Sequence, residues 1–177
     1  MSGYSEVLYV MFAMIIVSTM ALNANRFIQI NNQTLIEGQL ESQVVAYAQD
    51  IIEESRALAF DEETTYDNQG NSIVPVNIPT GFSFLGPDAG ETDRTQYNDF
   101  DDYNGHEETV TINTVDYFVD VVVEYVETND YETYTVAAGK STLKRITVNI
   151  ESNFLKKNIG GANTAYNFSF IRSYYAD

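Results

Sequence analysis

Apolar residues run almost unbroken from Val7 to Leu22, interrupted only by Ser18 and Thr19. About 16 residues make roughly 24 Å of α-helix, and a bilayer-spanning helix takes about 20. Tyr4 and the uncharged residues around Asn23 extend the run into the interfacial zones, and Tyr4 and Tyr9 suit headgroup level. Hydrophobicity on every side argues against a buried core helix in a small protein. No Lys or Arg precedes the run, which argues against a secretory signal. Arg26 on the far side is a single positive charge and sets no orientation alone.

The pattern then turns amphipathic. Phe27, Ile30, Leu40, Val44, Ala48, Ile51, Ile52, Ser55 and Leu58 recur at helical spacing, and Glu37, Glu41, Asp50, Glu53 and Glu54 fall mainly elsewhere. One helix is expected from Tyr4 to about Ala59. Asn23–Asn25 and Asn31–Thr34 have poor helix propensity and read as a loosened turn or a weak helical stretch, with Gly38 a second soft point. Residues 60–105 carry Pro75, Pro79, Pro87 and several Gly, and read as an irregular connector. Asp67–Asn71 is its turn cluster, and Ser72–Ile78 a short extended piece.

Period-two alternation follows. Strands are expected at Thr109–Asn113, Val115–Tyr125, Tyr131–Ala137, Leu143–Glu151 and Asn163–Ser173. In the second, Val115, Tyr117, Val119, Val121, Val123 and Tyr125 share a face opposed by Asp116, Asp120 and Glu124. In the fourth, Ile146, Val148 and Ile150 face inward. An antiparallel sheet with one dry face, covered by the long helix, is an α+β fold. The organisation expected is a hydrophobic membrane or filament-core helix over 1–25, an amphipathic stalk over 26–59, and a β-rich head over 60–177.

Charge narrows the functions. Acids outnumber bases 26 to 9 among 177 residues, a formal charge of −17. Such a surface repels phosphate backbones, so no nucleic-acid partner is expected. The 13 Tyr and 10 Phe argue against disorder. There is no Cys and a single His, which excludes disulfides, thiol catalysis and multi-His metal sites within one chain. No catalytic motif appears, and an enzyme is not expected.

Candidate sites are few. Asp99, Asp101, Asp102 and Asn104 can supply hard oxygens to Ca²⁺, but they do not have EF-hand spacing, and a solvated acidic turn is the stronger reading. No other cofactor is expected. His106 reads as an exposed loop histidine. Asn32-Gln33-Thr34 and Asn167-Phe168-Ser169 match the N-glycosylation pattern, a short motif with many chance hits. Lys140, Lys144, Arg145, Lys156 and Lys157 gather positive charge near the last strands, where screened surface pairs could set register between subunits.

Glu6 ahead of the apolar run, a helix continuing to about Leu58, and an antiparallel sheet after a variable connector together resemble the type IV pilins, pseudopilins and minor pilins. Asn98-Asp99-Phe100-Asp101-Asp102-Tyr103-Asn104-Gly105 looks like an acidic loop that precedes the sheet in those heads. Leu143–Ile150 looks like their basic-then-alternating strand. The resemblance implies a structural subunit of an extracellular, pilus-like filament, a helical homopolymer of identical subunits. It implies a membrane-inserted precursor handled by secretion and assembly machinery. Glu6 then maps to the acid that neutralises a neighbour's N-terminal amine, and Tyr4, Val7, Phe12, Ile16 and Phe27 belong to the assembling helix. Removal of Met1 would place Glu6 fifth, and cleavage after Gly3 would place it third behind Tyr4. The helix-breaking Pro of many bacterial pilins and the C-terminal cysteine pair are missing from this sequence. The alternative is a single-pass membrane-anchored binding or adhesion protein that does not polymerise.

Overall fold

The structure, a computed structural model, describes residues 3–65, 71, 73–155 and 165–176. Among the described residues one α-helix, α1, runs Gly3–Ala57. It contains no Pro, and its polar stretch stays helical, the second of the two readings offered for it. The hydroxyls there bond back to the preceding turn: Thr34 Oγ1 donates to the Ile30 carbonyl at 3.0 Å and Thr19 Oγ1 to that of Ile16 at 2.8 Å. Gln33 also donates to Glu37, four residues on, at 3.0 Å.

The chain divides into two compact units at Glu41/Ser42. The described part of the first is all α1. The second holds the last turns of α1 and, among the described residues, five strands: β1 (Glu107–Ile112), β2 (Val115–Glu127), β3 (Thr135–Val136), β4 (Leu143–Glu151) and β5 (Tyr166–Ser173). All pairings are antiparallel, in the order β1-β2-β4-β5, with β3 pairing the end of β2. The fold is α+β, with helix packed on sheet. Val44, Ala48, Ile51 and Ser55 of α1 are buried at intervals of four, three and four, the period that keeps one stripe inward. Tyr117, Val119, Val121, Val123 and Tyr125 of β2 and Ile146, Val148 and Ile150 of β4 supply the dry face. Two hydroxyls tie helix to sheet: Tyr117 donates to Gln43 Oε1 at 2.7 Å and Tyr47 to Glu108 Oε1 at 2.6 Å.

The expected bounds need several corrections. The strand anticipated over Tyr131–Ala137 shrinks to Thr135–Val136. Tyr131 takes φ +60, and the Asp130 carboxylate accepts the amides of Glu132 and Thr133 at 2.9 and 2.8 Å, so an Asx turn occupies the start of that segment. Ile73–Ile78 forms no strand. The turn cluster at 67–70, Ser72, and the start of the last strand at 163–164 lie outside the described residues. The connector is irregular, as expected, but not merely a surface loop. It sends Phe60, Phe82, Phe100 and Tyr103 into the core. Phe60 and Phe82 meet with ring centroids 5.2 Å apart, and Tyr174 lies against both at 5.6 and 5.3 Å.

Ile112 pairs directly with Val115, so Asn113 and Thr114 form a two-residue hairpin turn. Both have positive φ, +49 and +70, as a type I′ turn requires. Asn tolerates that region, whereas β-branched Thr is strained there.

Candidate functional site

The residues expected to assemble lie open. Tyr4 is 89% exposed, and Val7, Phe12, Ile16 and Phe27 are each between 56% and 66% exposed. Glu6 lies in the first turns of α1 and is also exposed. The best 18-residue window of α1 has a mean hydropathy of 2.0, with none of it buried, so by length and composition the helix can cross a membrane. Water covers this surface poorly: each apolar Å² left wet forgoes about 25 cal/mol.

The acidic loop does different work from that of a solvated turn or an open cation site. Asp102 Oδ2 accepts the amides of Asn98 and Asp99 at 2.8 and 2.9 Å. Asp99 Oδ1 accepts those of Asp101 and Asp102 at 2.8 and 3.2 Å. The two carboxylates thus build the tight turn at Asp101–Tyr103 reciprocally. Asn104 Oδ1 accepts the Val123 amide at 3.0 Å, stitching the loop to β2. All three acids are buried. Among the described residues, no three or more His, Cys, Asp or Glu side chains are grouped so as to hold a metal ion.

What the loop brings together is a charge cluster that sequence reading missed. Lys144, expected on the surface with Lys140 and Arg145, has no exposed surface at all. The β4 register explains it. Lys144 shares the inward parity of Ile146, Val148 and Ile150, so the alternation that buries those residues buries it too. Its Nζ donates to Asp101 Oδ1, to Asp61 Oδ2 at 2.7 Å and to the Phe60 carbonyl at 2.8 Å. The rings of Phe60, Tyr125 and Phe82 lie 4.6, 5.3 and 5.9 Å from the nitrogen. Asp61 is held by further donors: the amides of Ser83 at 2.8 Å and Glu63 at 3.2 Å, and the Tyr125 hydroxyl at 3.3 Å. Asp101 is less well served, because its Oδ2 is buried without a hydrogen-bond partner.

Burial, reinforced by the neighbouring Asp101 and Asp102 charges, pushes the Asp99 carboxyl up to about 9, despite the opposing pull of Lys144. Burial likewise raises Asp101 to about 6 against that pull. Burial also drives the Tyr125 phenol upward, with the Asp61 charge acting in the same sense. Nearby, Arg172 Nη1 donates to the carbonyls of Leu58 and Ala59 at 2.8 and 3.1 Å, satisfying carbonyls at the exit of α1.

A second cluster centres on Arg94. It donates to Glu54, to Asp50 at 3.2 Å, to the Tyr47 hydroxyl at 3.2 Å and to Glu108 at 3.4 Å. Desolvation, then the hydrogen bond to Glu108, lifts the Tyr47 phenol to about 12. His106 is not the exposed loop residue expected. Its side chain is mostly covered, set edge-on to the rings of Tyr97 and Tyr103, with Nδ1 3.2 Å from the Tyr97 hydroxyl. Of the other bases, Lys140 donates to the Phe82 carbonyl, and Arg145 pairs with Glu124 at 2.8 Å across the β2–β4 ladder. Lys156 and Lys157 lie outside the described residues. Asn32 sits within α1 and Asn167 within β5, both exposed.

Compared with family models, curated proteins and solved structures, the chain matches none.

Proposed function

We propose that this chain is a structural subunit of an extracellular pilus-like filament, polymerising through the apolar first half of α1. The observation that carries this reading is the exposed, all-round apolar surface over Val7–Leu22, on the same continuous helix whose last turns belong to a folded, acidic α+β domain. Such a surface is stable in lipid before assembly and among sister helices after it. Side-by-side packing of identical helices is heterologous and open-ended, which produces a fibre rather than a closed ring. Tyr4, Val7, Phe12, Ile16 and Phe27 supply the packing. Glu6 answers a neighbour's N-terminal amine, so that a charge withdrawn from water keeps a partner. The same surface also suits a single-pass anchor, and the test separates the two.

Material sheared from cells is examined by negative-stain microscopy and N-terminal sequencing. Filaments composed of this chain, lost in Glu6→Ala while the acidic domain stays folded, are the expected result. Full-length protein recovered only as a detergent-solubilised membrane monomer would make it an anchor. Normal filaments from Glu6→Ala would remove Glu6 from the mechanism.

A further inference from the structure

We propose that the ε-amino group of Lys144 and the side-chain carboxyl of Asp101 condense into an intramolecular amide, an isopeptide bond joining β4 to the turn at Asp101–Tyr103. This inference does not depend on the filament reading.

Burial comes first. Lys144 and Asp61 have no exposed surface, and Asp101 only 1%. An ammonium and carboxylates removed from water are costly unless every lone pair is matched. Here the match is incomplete, since Asp101 Oδ2 has no partner. The aromatic wall of Phe60, Phe82 and Tyr125 stands around Nζ, the atom that becomes the nucleophile once it gives up a proton. The wall also excludes the water that would hydrolyse an amide back to acid and amine.

Geometry selects the acceptor. Nζ meets two carboxylates, Asp61 and Asp101, and of the two it is Asp101 that keeps a buried oxygen without a hydrogen-bond partner. Amine and carboxyl are held together by the fold, so the encounter is already paid for in entropy. Asp61 is poorly suited to being attacked. Ser83 N, Glu63 N and the Tyr125 hydroxyl all donate to it and fix its orientation, with Oδ2 2.7 Å from Nζ and so in reach of the proton that must leave.

The atoms balance without a co-reactant. Asp61 takes one proton from the Lys144 ammonium. The freed nitrogen lone pair attacks Cγ of Asp101 and forms the C–N bond. A second nitrogen proton and the proton held by Asp61 pass to one carboxyl oxygen, and that C–O bond breaks to release water. One proton stays on the amide nitrogen, and Asp61 ends as it began. The ammonium and carboxylate charges vanish together, and if Oδ2 is the oxygen expelled, the unpartnered atom goes with it.

Intact-mass spectrometry of the full-length, folded protein reads the bond directly. The expected wild-type mass is that of the sequence less one water. After denaturation and digestion, trypsin is expected to skip Lys144 and leave a branched peptide joining the segments that carry Asp101 and Lys144. Lys144→Arg and Asp101→Ala should each restore the full sequence mass. Asp61→Asn, which keeps both reactants, should leave most of the folded protein uncross-linked. Folded wild-type protein at full sequence mass, with Lys144 cleaved normally, overturns the proposal whether or not any variant folds. A water loss that persists in Lys144→Arg overturns it too, as does a branch point at Asp61. Complete cross-linking in Asp61→Asn would overturn the role of Asp61 as base.

Discussion

Ile51→Ala against Ile16→Ala separates the two jobs proposed for α1. Both residues lie on the same helix, but Ile51 is fully buried and Ile16 is 56% exposed. Truncating Ile51 removes three buried carbons, about 2.4 kcal/mol at about 0.8 kcal/mol each. The cavity left beside Val44, Ala48 and the sheet raises the expected loss to about 3–4 kcal/mol. At Ile16 no buried contact is lost, and the helix propensity of Ala is slightly better, so the change should stay within about 0.5 kcal/mol. The assay is guanidinium unfolding of the full chain in mild non-ionic detergent. Near-ultraviolet circular dichroism of the tyrosines can follow it, since the chain has 13 Tyr and no Trp. On the filament proposal, yield should respond the other way: Ile16→Ala would weaken packing between helices while leaving the unfolding midpoint in place. An Ile51→Ala loss below about 1 kcal/mol, or equal losses at both sites, would refute the assignment of inward and outward stretches.

Thr114→Gly should stabilise the protein by about 1 kcal/mol, because it relieves a β-branched residue at φ +70; an unchanged or lower thermal midpoint would count against the strained turn. Arg94→Met should cost about 2 kcal/mol in chemical unfolding at neutral pH. It removes the partner of Asp50, Glu54 and the mostly covered Glu108 beside Tyr47, and the loss should shrink in acid as those carboxylates take up protons. Asp99→Asn addresses a raised carboxyl. In the folded state Asp99 keeps its proton up to about pH 9, whereas unfolded it loses it near 4. Between those values the native state binds more protons, so this group's contribution to stability falls as pH rises. The asparagine keeps the acceptor oxygen for the Asp101 and Asp102 amides, and its stability relative to wild type should rise steadily from pH 4 to 9. A difference independent of pH would show that Asp99 ionises normally.

Period alone exposed most of the architecture. The expected Leu143–Glu151 strand matches β4 end for end, and the β2 face of alternating Val and Tyr is the buried face. The helix was legible from its apolar spacing, because nothing within it opposes helical geometry strongly enough to break a ladder of hydrogen bonds. Lys144 was misread because charge suggests a surface, although its parity with Ile146 pointed inward. The partners that make its burial tolerable come from Asp61 and Asp101, 83 and 43 positions away, and no local pattern announces such pairing. The acids of the 99–102 loop were read as outward oxygens for the same reason. Their spacing is equally that of carboxylates capping their own backbone amides, and only the packing of Phe100 and Tyr103 beneath the loop decides between the two.

The buried cluster takes on a different meaning once its chemistry is considered with its topology. As ions, Lys144, Asp61 and Asp101 tie together the segment leaving α1, the turn before β1, and β4. Buried ion clusters of this kind are often no more stabilising than well-packed apolar residues. A covalent tie between positions 43 apart acts on the unfolded chain instead. The loop-entropy relation used for disulfides puts that restriction at about 4 kcal/mol. In a chain without cysteine, this is a route to a cross-link that needs no oxidant. Condensation requires the nitrogen and both carboxyls to be gathered and dry, which happens only when the sheet, the loop and the aromatic wall are in place. The bond would therefore form after folding and lock the fold that made it.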